Sequence, residues 1–185
     1  MTFKRWLPTF LGFPIGGYLA FATLGSLDNP VSAAVGGLLT GAVIGAGQWL
    51  ALRSRGIGRR WISYTAVAMA GGSALAATVT GAGTELSDVV LLGLASGAAV
   101  GAAQAALLAS GWRAAAAWTA VSAASWSLAW PVSATIIDLE RGWYVFGSSG
   151  ALLVTVLTGL TLRWMTASEA AAPSTPPVAA AAAAA

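Results

Sequence analysis

Two glutamines close the same pattern twice. Gly37, Gly41, Gly45 and Gln48 are matched by Gly93, Gly97, Gly101 and Gln104, every pair being 56 residues apart (93−37, 97−41, 101−45, 104−48). A glutamine amide both donates and accepts hydrogen bonds. Two of them facing each other can hold helices together or form a polar constriction on a solute path. A second recurrence supplies oxygen: Asn29, Glu85 and Asp138 are spaced 56 (85−29) and 53 (138−85) apart. Arranged around an axis, three such side chains can draw a cation to an outer mouth. At the starts of helices the same residues serve as caps that meet the positive end of the helix dipole. Ser122, Ser125 and Trp126 offer hydroxyls and an indole to a neighbouring helix or to one wall of a small-molecule pocket. Gly56 and Gly58 lie in a basic loop, but no phosphate-cradling motif surrounds them.

What is missing narrows the chemistry further. The chain has no histidine and no cysteine, which removes disulfides, thiolate nucleophiles, His-ligated haem and the usual transition-metal sites. Charged residues are 8% of the sequence, and they sit between the apolar blocks. Proton relays and ion-coupled transporters place ionisable groups inside the membrane, so coupled transport is disfavoured. Catalysis is disfavoured as well, because no Ser/Lys or carboxylate constellation gathers in one place. The expectation is a non-enzyme without a cofactor, with a bound lipid or another apolar ligand between helices left open.

The elements that carry these residues follow from hydropathy. Hydrophobic residues make up 57% of the chain, against roughly 45–50% in soluble domains. They fall into six blocks, Leu7 to Leu27, Val31 to Leu52, Trp61 to Thr80, Val89 to Ala109, Ala114 to Trp130 and Trp143 to Leu162, each near the ~20 residues needed to cross a bilayer. Short connections make consecutive helices antiparallel neighbours. The alternation places Lys4, Arg5, Arg53, Arg55, Arg59, Arg60, Arg113 and Arg163 at one end, with Arg141 opposite. Asp28, Glu85, Asp88, Asp138 and Glu140 gather at the other end, leaving Glu169 with the bases. The positive-inside rule makes the basic end cytoplasmic, so the expected location is the inner membrane with both termini inside. Lys4 and Arg5 before an apolar run, with Ala20-Phe21-Ala22 after it, also fit a secretory signal. Against that alternative, the first block has a counterpart later in the chain.

That counterpart is part of a repeat of about 55 residues. Arg5-Trp6 and Gly16-Gly17 recur as Arg60-Trp61 and Gly71-Gly72 (60−5 = 55, 71−16 = 55), so the unit is a two-helix hairpin. The third copy matches less well: Gly150 aligns with Gly97, but Val154 and Leu157 replace the next Gly and the Gln. The fold expected is an all-α polytopic bundle of three hairpins, approximately 5–59, 60–113 and 114–166, followed by a Pro/Ala-rich tail over 167–185. Residues four apart share a helix face, and Gln48, eleven on from Gly37, returns to within about 20° of it. Small residues on one stripe allow close backbone approach in lipid, so these stripes are expected to be helix-packing seams.

The segment Gly41, Gly45, Gln48, Trp49, Leu50, Leu52 and Arg53 resembles small bacterial multi-span membrane proteins with repeated GxxxGxxQWLxLR-type segments, a group without an assigned function. The fourth block keeps Gly97, Gly101, Gln104 and Leu107 but has Ala105 for the Trp and Ala109 for the Arg. The resemblance implies membrane architecture and no particular chemistry. Most tryptophans fall near span ends, and Trp6, Arg53, Trp61, Trp112, Trp143 and Trp164 are expected to anchor the membrane interfaces. The leading functional expectation is a non-catalytic accessory or scaffold subunit of a larger membrane complex, packing on other subunits or on itself through Gly-rich faces, with no nucleic-acid partner. A passive channel or small-solute transporter with a Gln-lined constriction and acidic mouth is the alternative. Binding of a lipid, quinone or carotenoid between helices is the third.

Overall fold

A computed structural model describes residues 3–108 and 111–171. Among the described residues the chain is helical with no strand. A short turn, α1 (Phe3–Trp6), passes through a 3-10 segment (Leu7–Leu11) into α2 (Gly12–Leu24). Five further long helices follow: α3 (Pro30–Leu52), α4 (Arg60–Thr80), α5 (Leu86–Ala105), α6 (Trp112–Ala134) and α7 (Ser148–Ala171).

Local chemistry sets the helix ends. Asn29 caps α3, its Oδ1 accepting from the Val31 and Ser32 N–H groups at 2.9 Å, and Pro30 occupies the first turn, where its missing N–H costs nothing. At the far end of α4, Gly81 takes φ +64°, the left-handed conformation that ends helices and suits glycine.

Five of the long segments are long and apolar enough to cross a membrane: Phe3–Leu24, Pro30–Arg55, Arg60–Thr80, Leu86–Ala105 and Ser148–Ala167. The sixth expected span, α6, is 23 residues long but falls short in hydropathy. Four serines and four tryptophans lower its mean, and most of them face inward: Ser122, Ser125, Ser133, Trp118, Trp126 and Trp130 are buried. Its outer face carries Leu128 and Val132.

Neighbouring helices pack antiparallel through the glycine stripes. A methyl on Gly41 would lie 2.9 Å from the Ala66 Cα, and one on Gly45 3.0 Å from the Ile62 Cα, while Gly37 faces Met69 and Ala70. On α5, Gly93, Gly97 and Gly101 meet Trp126, Ser122 and Thr119 of α6 in the same sense. The seams therefore join α3 to α4 and α5 to α6, between one expected hairpin and the next. Within the hairpins, Gly16 meets Thr40 and Gly72 meets Ser96, again 56 residues apart (72−16, 96−40). The N-terminal turn closes the arrangement on α7, where Gly159 leaves room for Phe3 and Trp6.

Two expected boundaries move. Helix α7 starts at Ser148, so Trp143 to Gly147 is not helical as the sixth block implied, and it runs to Ala171, five residues into the expected tail (171−166). Residues 172–185 of that tail, and Ala109 at the end of the fourth block, lie outside the described residues.

Candidate functional site: a buried amide and tryptophan node

Four side chains of α3, α4 and α5 meet in the basic half of the bundle. Gln48 is on α3, Gln104 on α5, and Trp61 and Thr65 lie on α4 between them. Gln104 Nε2 donates to Gln48 Oε1 at 2.8 Å and to Thr65 Oγ1 at 2.9 Å. Trp61 Nε1 donates to the same Gln48 oxygen at 3.1 Å, and Thr65 Oγ1 donates to the Trp61 carbonyl at 2.8 Å. Both lone pairs of the Gln48 oxygen and both hydrogens of the Gln104 amide are thus engaged. All four side chains are buried. The node ties α3, α4 and α5 together through hydrogen bonds between neutral groups.

Two further tryptophans, Trp6 and Trp118, pack beside this node. Trp118 packs edge-on against Trp6 at 6.3 Å and against Trp61 at 6.5 Å between ring centroids, within the 4.5–7 Å favoured by aromatic pairs. Trp6 Nε1 donates to the Thr155 carbonyl at 3.0 Å and to Thr158 Oγ1 at 3.2 Å on α7. Trp118 Nε1 has no partner among the described residues. Trp6 and Trp61 are 0% exposed, which corrects their expected role as interface anchors. An indole that donates into a neighbouring helix is more favourably placed inside than at the headgroups. Trp112 and Trp164 are exposed, Trp143 is half-buried and Arg53 is exposed.

Aromatic packing fills the opposite half. The 135–147 connection turns inward and buries Tyr144, Val145 and Phe146. Phe146 stacks on Phe13 at 5.3 Å and meets Trp126 and Trp130 edge-on at 5.6 and 6.0 Å. Gly36 lies against the Tyr144 ring, and a methyl on Gly17 would come 2.6 Å from Val145 Cγ1. The loop is tied down by the Leu27 N–H donating to the Gly142 carbonyl at 2.8 Å. Burial pushes the Tyr144 phenol above its ordinary range and the nearby Asp28 charge adds to that, while a hydrogen bond with Ser32 opposes them.

The expected outer ring resolves into separate local structures. Asn29 caps α3 as described, and Asp138 Oδ1 accepts from the Glu140 N–H at 3.0 Å while pairing with Arg141 at 3.8 Å. The Glu85 N–H donates to the Asp88 carboxylate at 3.3 Å at the start of α5. All three residues of the proposed ring are exposed, and each makes its hydrogen bonds within its own turn. Of the serines singled out, Ser125 bonds back to the Ser122 carbonyl in its own helix. The hydroxyl that links helices there is Ser133, which accepts from the Gly150 N–H at 3.2 Å.

Trp118, Thr65 and the Tyr144–Phe146 segment are not among the residues that the sequence pattern singles out. For Trp118 a signal was available, because Trp6, Trp61 and Trp118 follow the repeat spacing (61−6 = 55, 118−61 = 57). Comparison with models of known protein families, with characterised proteins and with solved structures gives no match.

Proposed function

We propose that this chain is a non-catalytic integral membrane protein that crosses the bilayer six times as three two-helix units, with both termini cytoplasmic. In this reading it serves as an accessory or scaffold subunit of a larger membrane complex. The observation that carries the reading is the condition of the interior. The two amides that could have lined a solute path bond to each other, the Trp6, Trp118 and Trp61 rings pack beside them, and Tyr144 to Phe146 occupy the opposite end. Work done by such a molecule falls to its outer surface.

That surface is apolar, with Tyr18, Val31, Val67, Leu75 and Val79 each more than half exposed, as lipid or partner helices require. The glycine stripes are engaged inside the bundle, so partner contacts fall to these Leu- and Val-bearing faces. The sixth span is α6, most of whose serines and tryptophans point inward. Extraction of the tagged chain in a mild detergent or a polymer nanodisc tests the proposal. The expected result is co-migration with a second membrane protein in fixed ratio, or a defined homo-oligomer. A monodisperse monomer with no co-purifying protein counts against it.

A further inference from the structure

We infer that the groove between the N-terminal segment and α3 is a binding site for one anionic phospholipid, with the phosphate at Arg5 and Arg53 and an acyl chain running toward Ile15. The inference rests on the membrane-spanning reading above. It does not depend on the accessory-subunit role.

The groove has a volume of about 600 Å³ and is bounded by Arg5, Thr9, Ile15, Gly47, Leu50 and Arg53 among others. That volume is in the range of roughly 300–1,000 Å³ typical of small-molecule sites. Its two ends differ in chemistry. Arg5 and Arg53 stand at the basic end, both exposed and neither in an ion pair among the described residues, and no carboxylate lines the groove. Farther along the wall is apolar, with Leu11, Ile15 and Leu50 all about half exposed. A phosphate joined to a hydrocarbon chain has the same division, and basic pockets between spanning helices are a recurrent means of holding anionic headgroups. Guanidinium groups suit phosphate oxygens in particular, since they donate in a planar fork.

Two further observations separate this groove from an ordinary lipid-facing crease. Thr9 is 4% exposed and its Oγ1 has no hydrogen-bond partner among the described residues. A buried hydroxyl left unpaired is costly, and a headgroup or ester oxygen entering the groove offers it a partner. The second is Gly47. A methyl on Gly41 or Gly45 would press on α4, yet a methyl on Gly47 would meet nothing within 4 Å. Helix packing therefore does not require glycine at 47. The missing side chain instead leaves the floor of the groove open beside Gly12, where a methyl would lie 3.1 Å from the Ile44 Cα.

The full-length protein, purified in mild detergent, is offered phosphatidylglycerol and phosphatidylcholine in equal amounts, and the retained lipid is counted by native mass spectrometry. Phosphatidylglycerol is expected to be retained about ten-fold over phosphatidylcholine. In Arg5→Gln with Arg53→Gln the preference disappears, and in Arg113→Gln, at the same end but outside the groove, it stays. Gly47→Leu fills the floor without altering charge, so it lowers retention of the anionic lipid and provides a second test if the arginine variant fails to fold. Glycerol 3-phosphate and inorganic phosphate are expected not to displace the bound lipid. Equal retention of the two lipids, preference unchanged in the Arg5/Arg53 and Gly47 variants, or displacement by free phosphate would each overturn the site. Carbonate extraction of the unaltered protein reports separately on membrane insertion, so equal retention of the two lipids by an unaltered protein that stays with the membrane rejects the site alone.

Discussion

Gln48 and Gln104 have equivalent places in the sequence but unequal places in the node. The Gln48 oxygen accepts from both Trp61 and Gln104, so Gln48→Leu leaves two buried donors short of an acceptor. Gln104→Leu leaves the Gln48 oxygen still paired with Trp61 and Thr65 still donating to its own helix. The expected loss is about 1–2 kcal/mol for Gln48→Leu and about half that for Gln104→Leu, the scale of polar contacts in membrane bundles. The double variant should lose less than the sum, because removing both partners leaves fewer groups unpaired. Denaturant unfolding in mixed micelles, read by tryptophan fluorescence, gives the cycle, and equal single losses would contradict the assigned geometry. At the opposite end, the raised Tyr144 pKa means that the folded state holds its proton more tightly than the unfolded chain does. Its contribution to stability is present below the ordinary value of 10.0 and falls as pH rises through the folded value. Thermal unfolding followed between about pH 9 and 11 should decline less steeply in Tyr144→Phe. The pairing of Gln48 with Gln104 was legible from their common spacing. The parts played by Trp61 and Thr65 were not, because which face of α4 turns toward α3 is decided by packing across the bundle.

At the scale of the helix, glycine divides into two kinds that spacing alone does not separate. A methyl on Gly41 or Gly97 would come within 2.9 Å of backbone or side-chain atoms of the next helix, whereas a methyl on Gly71 would meet nothing within 4 Å. Gly71→Leu should therefore leave the fold intact, and Gly41→Leu or Gly97→Leu should prevent folding or cost upwards of roughly 3 kcal/mol by forcing helices apart. Retention of a monodisperse peak after mild heating distinguishes them, and a Gly71→Leu protein that aggregates as Gly41→Leu does would refute the distinction. The stripes were readable as seams because residues four apart share a face. Which helix each seam meets was not, since the hairpin partner and the following helix are both antiparallel neighbours. The start of α7 escaped for a different reason: Trp143 to Phe146 are as apolar as any helix, and it is burial of an irregular segment in the bundle, beside Gly17 and Gly36, that gives them a place.

Across the whole molecule, the segregation of bases and acids along the sequence is compatible with the antiparallel packing of neighbouring helices. Helix α6 is long enough to span at 23 residues but below the hydropathy of its five companions. Its inward serines and tryptophans lower the mean without touching the lipid-facing side, where Leu128 and Val132 stand. A helix in a bundle meets lipid along one face only, so its average understates its fitness to span. Because the chain has no cysteine, single cysteines report topology without background. Gly111 and Thr135 flank α6 and both are exposed. In sealed right-side-out vesicles, an impermeant maleimide should label Thr135→Cys directly and Gly111→Cys only after the membrane is opened. Ser87→Cys, at the acidic end, and Ser54→Cys, at the basic end, are the matching references on spans of higher hydropathy. Labelling of Gly111→Cys and Thr135→Cys from the same side would place α6 along the surface, and the close approach of Gly93, Gly97 and Gly101 to Trp126, Ser122 and Thr119 could not then form.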